Sequence, residues 1–208
     1  MSLLRETCSQ NDECLIGEGN EGDRLDRMKY QKTIILKDGR ECLLRNGRAE
    51  DGREALEAFN LAHEETDYLL TYTDEKSFTA EEESRYLEAK TESEDGIEIL
   101  AVIDGEIAGL AGIDSLGRKV KIRHRAGFGI SILKKYWCLG IGRAMVEACI
   151  ECAKKAGYEQ LELDVVAENT RAIALYEHCG FTIYGRNPRG FKSRYTGYQE
   201  VVYMRLEL

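Results

Sequence analysis

A chain of 208 residues with 43% hydrophobic and 32% charged side chains is long enough for one globular domain with a sizeable core. Its 29 Lys and Arg against 38 Asp and Glu leave a net charge of −9, which disfavours nucleic acid or any other broad polyanion as a partner. No apolar run approaches the roughly 18 residues of a membrane-spanning helix and the N-terminal stretch is polar, so no membrane association or export is expected and the reading is cytoplasmic.

Residues 1–27 carry no hydrophobic periodicity and read as a polar N-terminal extension, leaving the domain over residues 28–208. Residues 28–47 pattern as two strands around an Asp38-Gly39 hairpin turn. From Glu50 to Tyr72 the period becomes helical, with Ala55, Phe59, Ala62 and His63 facing inward, and Thr79-x-x-Glu82 is a capping box that opens a second helix. Residues 97–114 form a hairpin about Asp104-Gly105, and residues 123–133 a further strand whose Gly127 and Gly129 suggest a bulge or a closely approaching backbone. A helix starts at Gly140, with Ile141, Ala144, Met145, Ala148, Cys149 and Cys152 on its buried face. Cys149-x-x-Cys152 lies inside that apolar stripe without a second pair, so it reads as packing rather than as a zinc or redox site; seven scattered cysteines suit a reducing compartment. An alternating strand over residues 160–166, a helix from Asn169 to Cys179, and strands near Phe181–Tyr184 and Gln199–Leu206 complete the chain.

Gly140-Ile141-Gly142 stands where the helix leaves backbone N–H groups without intrahelical partners, and small residues there let an anion approach the positive end of the helix. Lys134, Lys135 and Arg143 add positive charge nearby. By themselves the two glycines serve a tight turn as well as a phosphate site. A Walker loop is absent. A dinucleotide-binding turn lacks its third glycine, since Met145 stands there, although Asp164 falls about where a ribose-binding acid would.

Trp137-Cys138-Leu139-Gly140-Ile141-Gly142, followed by Asn169, Ala172, Tyr176, Gly180 and Phe181, resembles the two motifs of the GNAT superfamily of acyl-CoA N-acyltransferases, Q/R-x-x-G-x-G/A and N-x-x-A-x-x-x-Y-x-x-x-G-F. The resemblance covers residues 97–206, with Trp137 departing from the family's Gln or Arg. It implies an α+β fold, a mixed and mainly antiparallel sheet of about six to seven strands flanked by about four helices and splayed at the acetyl-CoA site. It further implies acetyl-CoA as co-substrate without a metal. The pantetheine arm would pair with Ile130, Ser131 and Ile132. The pyrophosphate would sit on the loop Trp137, Cys138, Leu139, Gly140, Ile141, Gly142, Arg143 and Ala144, on the amides from Cys138 to Ala144, and Asn169 would hydrogen-bond the arm, with Ala172 also at the cofactor. Tyr176 would protonate the departing thiolate after direct attack by a primary amine.

Many relatives carry an acid where this chain has Gly127, so His124, Glu65 or an ordered water is the candidate base, with His124 taken as the catalytic partner of Tyr176. His63 and His178 read as structural. The acidic stretch from Leu61 to Leu100 suggests a cationic small amine as acceptor, with amino-acid or protein amines also open because Arg189 and Lys192 lie in a basic segment. A homodimer is compatible with this reading. The alternative, favoured by the missing acid, is an acyl-CoA-binding regulatory or interaction module without turnover.

Overall fold

The computed structural model describes residues 28–75 and 78–208; the expected extension over residues 1–27 lies outside the described residues. Strand β1 (Gln31–Ile35) turns at Asp38-Gly39 into β2 (Glu41–Asn46). Strands β3 (Ile97–Ile103) and β4 (Glu106–Ser115) turn at Asp104 and Gly105, whose φ values of 51° and 84° match the twist of a tight hairpin. Then follow β5 (Arg125–Ile132), β6 (Gln160–Val166), β7 (Thr182–Ser193) and β8 (Gly197–Glu207). They form one sheet of eight strands in the order β1-β2-β3-β4-β5-β6-β8-β7, antiparallel throughout except between β5 and β6. The sheet exceeds the expected six to seven strands because both outer hairpins join it.

Among the described residues four helices cover the sheet: α1 (Gly52–Glu64), α2 (Ala80–Glu92), α3 (Ile141–Lys155) and α4 (Thr170–His178). The Thr79 capping box opens α2 as expected, the Thr79 hydroxyl accepting from the Glu82 amide at 3.2 Å. Leu100 and Leu110 on one face of the sheet pack with Ala55, Ala58, Phe59 and Leu87 of α1 and α2. Ile99, Ala111 and Ile113 on the other face pack with Met145, Ala148, Cys149 and Cys152 of α3. The two cysteines are thus core residues, and burial pushes the Cys152 thiol up to about 12, far from reactive. Among the described residues no helix is long and apolar enough to cross a membrane, and no cluster of His, Cys, Asp or Glu is arranged to hold a metal ion.

Two expectations are corrected. Helix α1 stops at Glu64 instead of Tyr72, because the chain beyond it is drawn onto the β7–β8 hairpin. The Asp67 carboxylate accepts from the Ser193 hydroxyl (2.6 Å), the Tyr72 hydroxyl (3.1 Å) and the Gln199 amide (3.2 Å), while Arg194 donates to Asp74 at 2.6 Å. Helical periodicity in residues 66–72 loses to these tertiary bonds. β7 in turn runs to Ser193 rather than ending near Tyr184. Its pairing with β8 is interrupted between Asn187 and Phe191, the irregular place where Pro188 is tolerated in a strand. The glycines of β5 mark no bulge, since its register against β4 is unbroken; the irregularity lies at Ala101/Val102, in the β3–β4 pairing.

Asp67→Ala leaves buried Ser193 and Gln199 short of an acceptor. We expect a loss of about 1–3 kcal/mol, or several degrees in Tm at roughly 2–4 °C per kcal/mol. Thermal unfolding of the variant checks this, and an unchanged Tm would show that the loop is held by other means.

Candidate active site

The site begins where β5 and β6 stop pairing. Only Arg125↔Gln160, Ala126↔Leu161 and Gly127↔Glu162 are in register, and beyond them the strands separate. On β5, the Leu116 N–H bonds the Arg125 carbonyl (3.1 Å) and the Leu133 N–H the Ala108 carbonyl (2.9 Å), so odd-numbered residues hold the ladder to β4. The backbone groups of Phe128, Ile130 and Ile132 therefore face the gap. At its far end the Trp137 indole N–H donates to the Ile132 carbonyl at 2.8 Å.

A cavity of about 470 Å³ runs along this gap and over the N-terminus of α3. All the expected donor-site residues line it except Leu139, Ile141 and Ala144. Those three act otherwise. Leu139 offers its carbonyl to the Lys37 amide (3.1 Å), Ile141 buries its side chain in the core, and the Ala144 amide donates to the Gly140 carbonyl (3.3 Å) as the helix's own first bond. The donors left at the mouth of α3 are the amides of Ile141, Gly142 and Arg143. They are presented by a turn in which Gly140 (φ 97°) and Cys138 (φ 66°) both take left-handed backbone, free for the glycine and costly for the cysteine. Gly142 is small for a packing reason as well: a Cβ there would lie 3.1 Å from Leu175 Cδ2 and 3.4 Å from Ile132 Cδ1.

Where the motif carries Trp137 in place of Gln or Arg, a cation arrives from elsewhere. The Arg171 guanidinium stacks 3.7 Å from the Trp137 ring centroid, close to Cys138, and lines the same cavity. Arg171 was not singled out by the sequence, where it reads as one exposed charge in a helix; only the position of α4 against the loop brings the two together.

Asn169 caps α4, its Oδ1 accepting from the Ala172 amide at 3.3 Å. Tyr176, nearly two turns on, is 7% exposed and packs its ring on Phe128 and Phe181 with centroids 6.1 and 5.9 Å away. Burial raises its phenol well above the ordinary range, so it keeps its proton.

A second cavity of about 200 Å³ meets the first through the gap; Tyr68, Leu69, Ile130, Asn169 and Tyr176 line both. Its charged lining residues are Glu162 and Asp164 on β6. Arg125 donates to Glu162 through Nη2 (2.8 Å) and Nε, and this pairing holds the Glu162 carboxyl below its usual range. Asp164, two residues past the last paired position, has its side chain exposed at the cleft, and its carboxyl is pushed the other way, first by loss of surrounding water and then by the Glu162 charge. The alternation of "LELDVV" puts Glu162 and Asp164 on one face; that this face lines a cleft follows from the parting of the strands.

The other candidate bases are not brought to this point. His124 immediately precedes β5 at the closed end of the strand pair, its carbonyl accepting from the amides of Glu159 (2.8 Å) and Gln160 (3.2 Å), and it lines neither cavity. The Glu65 carboxylate accepts from the Lys134 amide at 2.5 Å and so tethers α1 to the loop before α3. His63 is buried, with Nδ1 2.7 Å from the Phe59 carbonyl, and His178 lies in the last turn of α4. His63 is thus held within the fold, whereas His178 is exposed.

An open, mainly antiparallel sheet parted between two parallel strands, with an anion-ready helix mouth beside the parting, defines the acetyltransferase class of α+β folds. Residues 58–181 match the model of the Acetyltransferase (GNAT) family, and the chain belongs to that family. It is 30% identical over 108 residues to the L-amino acid N-acetyltransferase AaaT of Escherichia coli K12, covering 51% of this chain and 65% of that protein. It is 44% identical over 54 residues to the same organism's ribosomal protein bS18 alanine N-acetyltransferase, covering 26% of this chain and 36% of the relative. The chain thus spans less than two thirds of the length of these curated relatives. Among solved structures, a GNAT-family acetyltransferase from Streptococcus pneumoniae superposes with a TM-score of 0.77 at 30% identity, covering 80% of this chain and 99% of that one. The Salmonella typhimurium protein yncA, solved with acetyl-CoA, shares the fold with a TM-score of 0.70 at 17% identity, covering 80% and 94%.

Proposed function

We propose that this protein is an N-acetyltransferase that moves an acetyl group from acetyl-CoA directly to a primary amine. The observation that carries the reading is the meeting of two cavities at the strand parting. Tyr176 and Asn169 line both, and an acid, Asp164, lines only the smaller.

The larger cavity suits acetyl-CoA on several independent counts. The amides of Ile141, Gly142 and Arg143 point out of α3, and Arg143, Arg171 and Lys37 supply positive charge for phosphate. The freed backbone edge of Phe128 and Ile130 can pair with an extended amide-bearing arm. Ser131 lines the same cavity, and its buried Oγ has no hydrogen-bond partner among the described residues. Acetyl-CoA bound there would supply an acetyl thioester activated for attack.

The protein's own groups then handle protons. Asp164 accepts one from the incoming ammonium, a role open to it because its raised affinity for protons brings it closer to the acceptor than an ordinary carboxylate. Tyr176, held protonated by burial, donates to the departing sulfur. The base missing at Gly127 is in this way provided from the neighbouring strand, which favours turnover over a silent binding module. Hydrolysis-corrected thiol release across a panel of amines, alongside calorimetric titration with CoA, tests the proposal. CoA binding without acetylation of any amine would favour the silent module, and the absence of CoA binding would overturn both readings.

Three variants divide the roles. Gly142→Val inserts a branched side chain against Leu175 and Ile132 and beside the phosphate-binding amides. We expect CoA to bind at least tenfold more weakly, about 1.4 kcal/mol, in calorimetry of the folded variant. Tyr176→Phe keeps the ring and its packing, so CoA affinity should hold while kcat falls toward or somewhat below the lower end of the 10²- to 10⁴-fold range of general acid catalysis; a thiol near 8.5 leaves tolerably unaided. A parental rate from pH 6 to 9 would reduce Tyr176 to a packing residue. For Asp164, the active form of a base is the ionised one, so activity rises with pH through its pKa. The acid limb of kcat at saturating amine should therefore lie above the ordinary aspartate value of about 3.9. Asp164→Asn should abolish that limb and lower kcat by about 10²-fold or more; a limb that survives the substitution would move the base elsewhere.

A further inference from the structure

Resting on the acetyl-transfer reading, we propose that the acceptor is a small organic cation, a primary amine on an apolar arm with no carboxylate beside it, rather than a free α-amino acid. The second cavity carries the argument. At about 200 Å³ it holds a compact arm, and its walls are the apolar side chains of Leu69, Leu70, Leu116 and Phe191 with the ring of Tyr68. Asp164 and Glu162 are its only charged lining residues among those described.

An α-carboxylate needs a free guanidinium or ammonium within hydrogen-bond reach. The cation nearest by contact is Arg125, and two of its nitrogens already serve Glu162. That pair nearly cancels, so Asp164 sets the sign of the cleft. An amine presented to Asp164 is attracted, whereas the carboxylate of an α-amino acid, carried one carbon away from the same amine, is brought against a like charge. The charge continues outward: the adjoining cavity bears Glu65, Asp67 and Glu168 against Lys134. A cation approaching the cleft is therefore drawn in.

The walls also limit the acceptor's size. Tyr68, Leu69 and Leu70 follow Asp67, which is bonded to Ser193 and Gln199, and Arg194 ties Asp74 and the Tyr72 ring to the same hairpin. The segment over the cleft is thus fastened on both sides of the three residues that line it. This favours a small molecule over a polypeptide terminus.

The test is calorimetry on protein saturated with CoA, titrated with matched pairs: phenethylamine and L-phenylalanine, isoamylamine and L-leucine, tryptamine and L-tryptophan. The amide of each amino acid and a tetrapeptide beginning with it are titrated alongside. The best-bound amine should exceed its amino acid at least tenfold in affinity, and the preference should collapse toward equality in Asp164→Asn, with CoA affinity retained as the sign that the variant is folded. The proposal is overturned by an amino acid that binds as well as its amine, by a preference that survives Asp164→Asn, by a tetrapeptide that binds tenfold tighter than both the matching amide and the amine, or by no amine binding at all. Saturation with CoA is measured first in the same cell, so failure of the donor site is seen separately from failure of the acceptor assignment.

Discussion

Everything functional in this molecule hangs on one interrupted ladder of backbone hydrogen bonds. Among the described residues β5 and β6 are the only parallel neighbours in the sheet, and they pair at three positions before diverging. A strand edge inside a sheet is costly to leave unmet, because each buried N–H and C=O must find a partner in protein, water or ligand. Tyr176, Phe128 and Phe181 fill one face of the gap, and Trp137 closes its far end with a bond to Ile132. A fold that holds such an edge open is prepared for an extended ligand that completes it.

The two faces of the sheet divide the work at that gap. Helices α3 and α4 belong to one face and bring a helix mouth, cations and a protonated phenol. On the other, α1, α2 and the segment after α1 supply an apolar wall, and β6 turns Glu162 and Asp164 toward it. The two cavities share a few lining residues beside the missing pairing, among them Tyr176 and Asn169, and on the proposed reading donor and acceptor would meet there. The larger cavity is lined by Lys37, Arg143 and Arg171 and the smaller by Glu162 and Asp164, so the charges of the two have opposite sign.

The loop before α3 shows how a departure from a motif can be absorbed. Trp137 cannot offer the cationic or amide group usual at its position. Its indole instead does two jobs, tying the loop to the end of β5 and presenting a ring face on which Arg171 rests. Stacking fixes the Arg171 guanidinium, one of whose N–H groups reaches Cys138 Sγ, so charge is retained at the loop and its source changes.

Local chemistry is what the sequence settled alone. The Asp-Gly turns, the Thr79 box, the Asn169 cap and the apolar stripe of α3 each depend on residues within a few positions of one another, and each stands in the structure as expected. The residues of the loop and of α4 that line the larger cavity were legible for the same reason, being clustered in two short motifs. What tertiary structure decided was set by contacts far apart in the chain. Helix α1 ends early because Asp67 bonds Ser193, 126 positions away. Ala144 gives its amide to its own helix. His124 lies at the closed end of the strand pair, a fact fixed by register between β5 and β6 that no single strand encodes. Asp164 and Arg171 looked like solvated charges, and each takes its place at the site only because a strand parts from its neighbour or a helix crosses a loop.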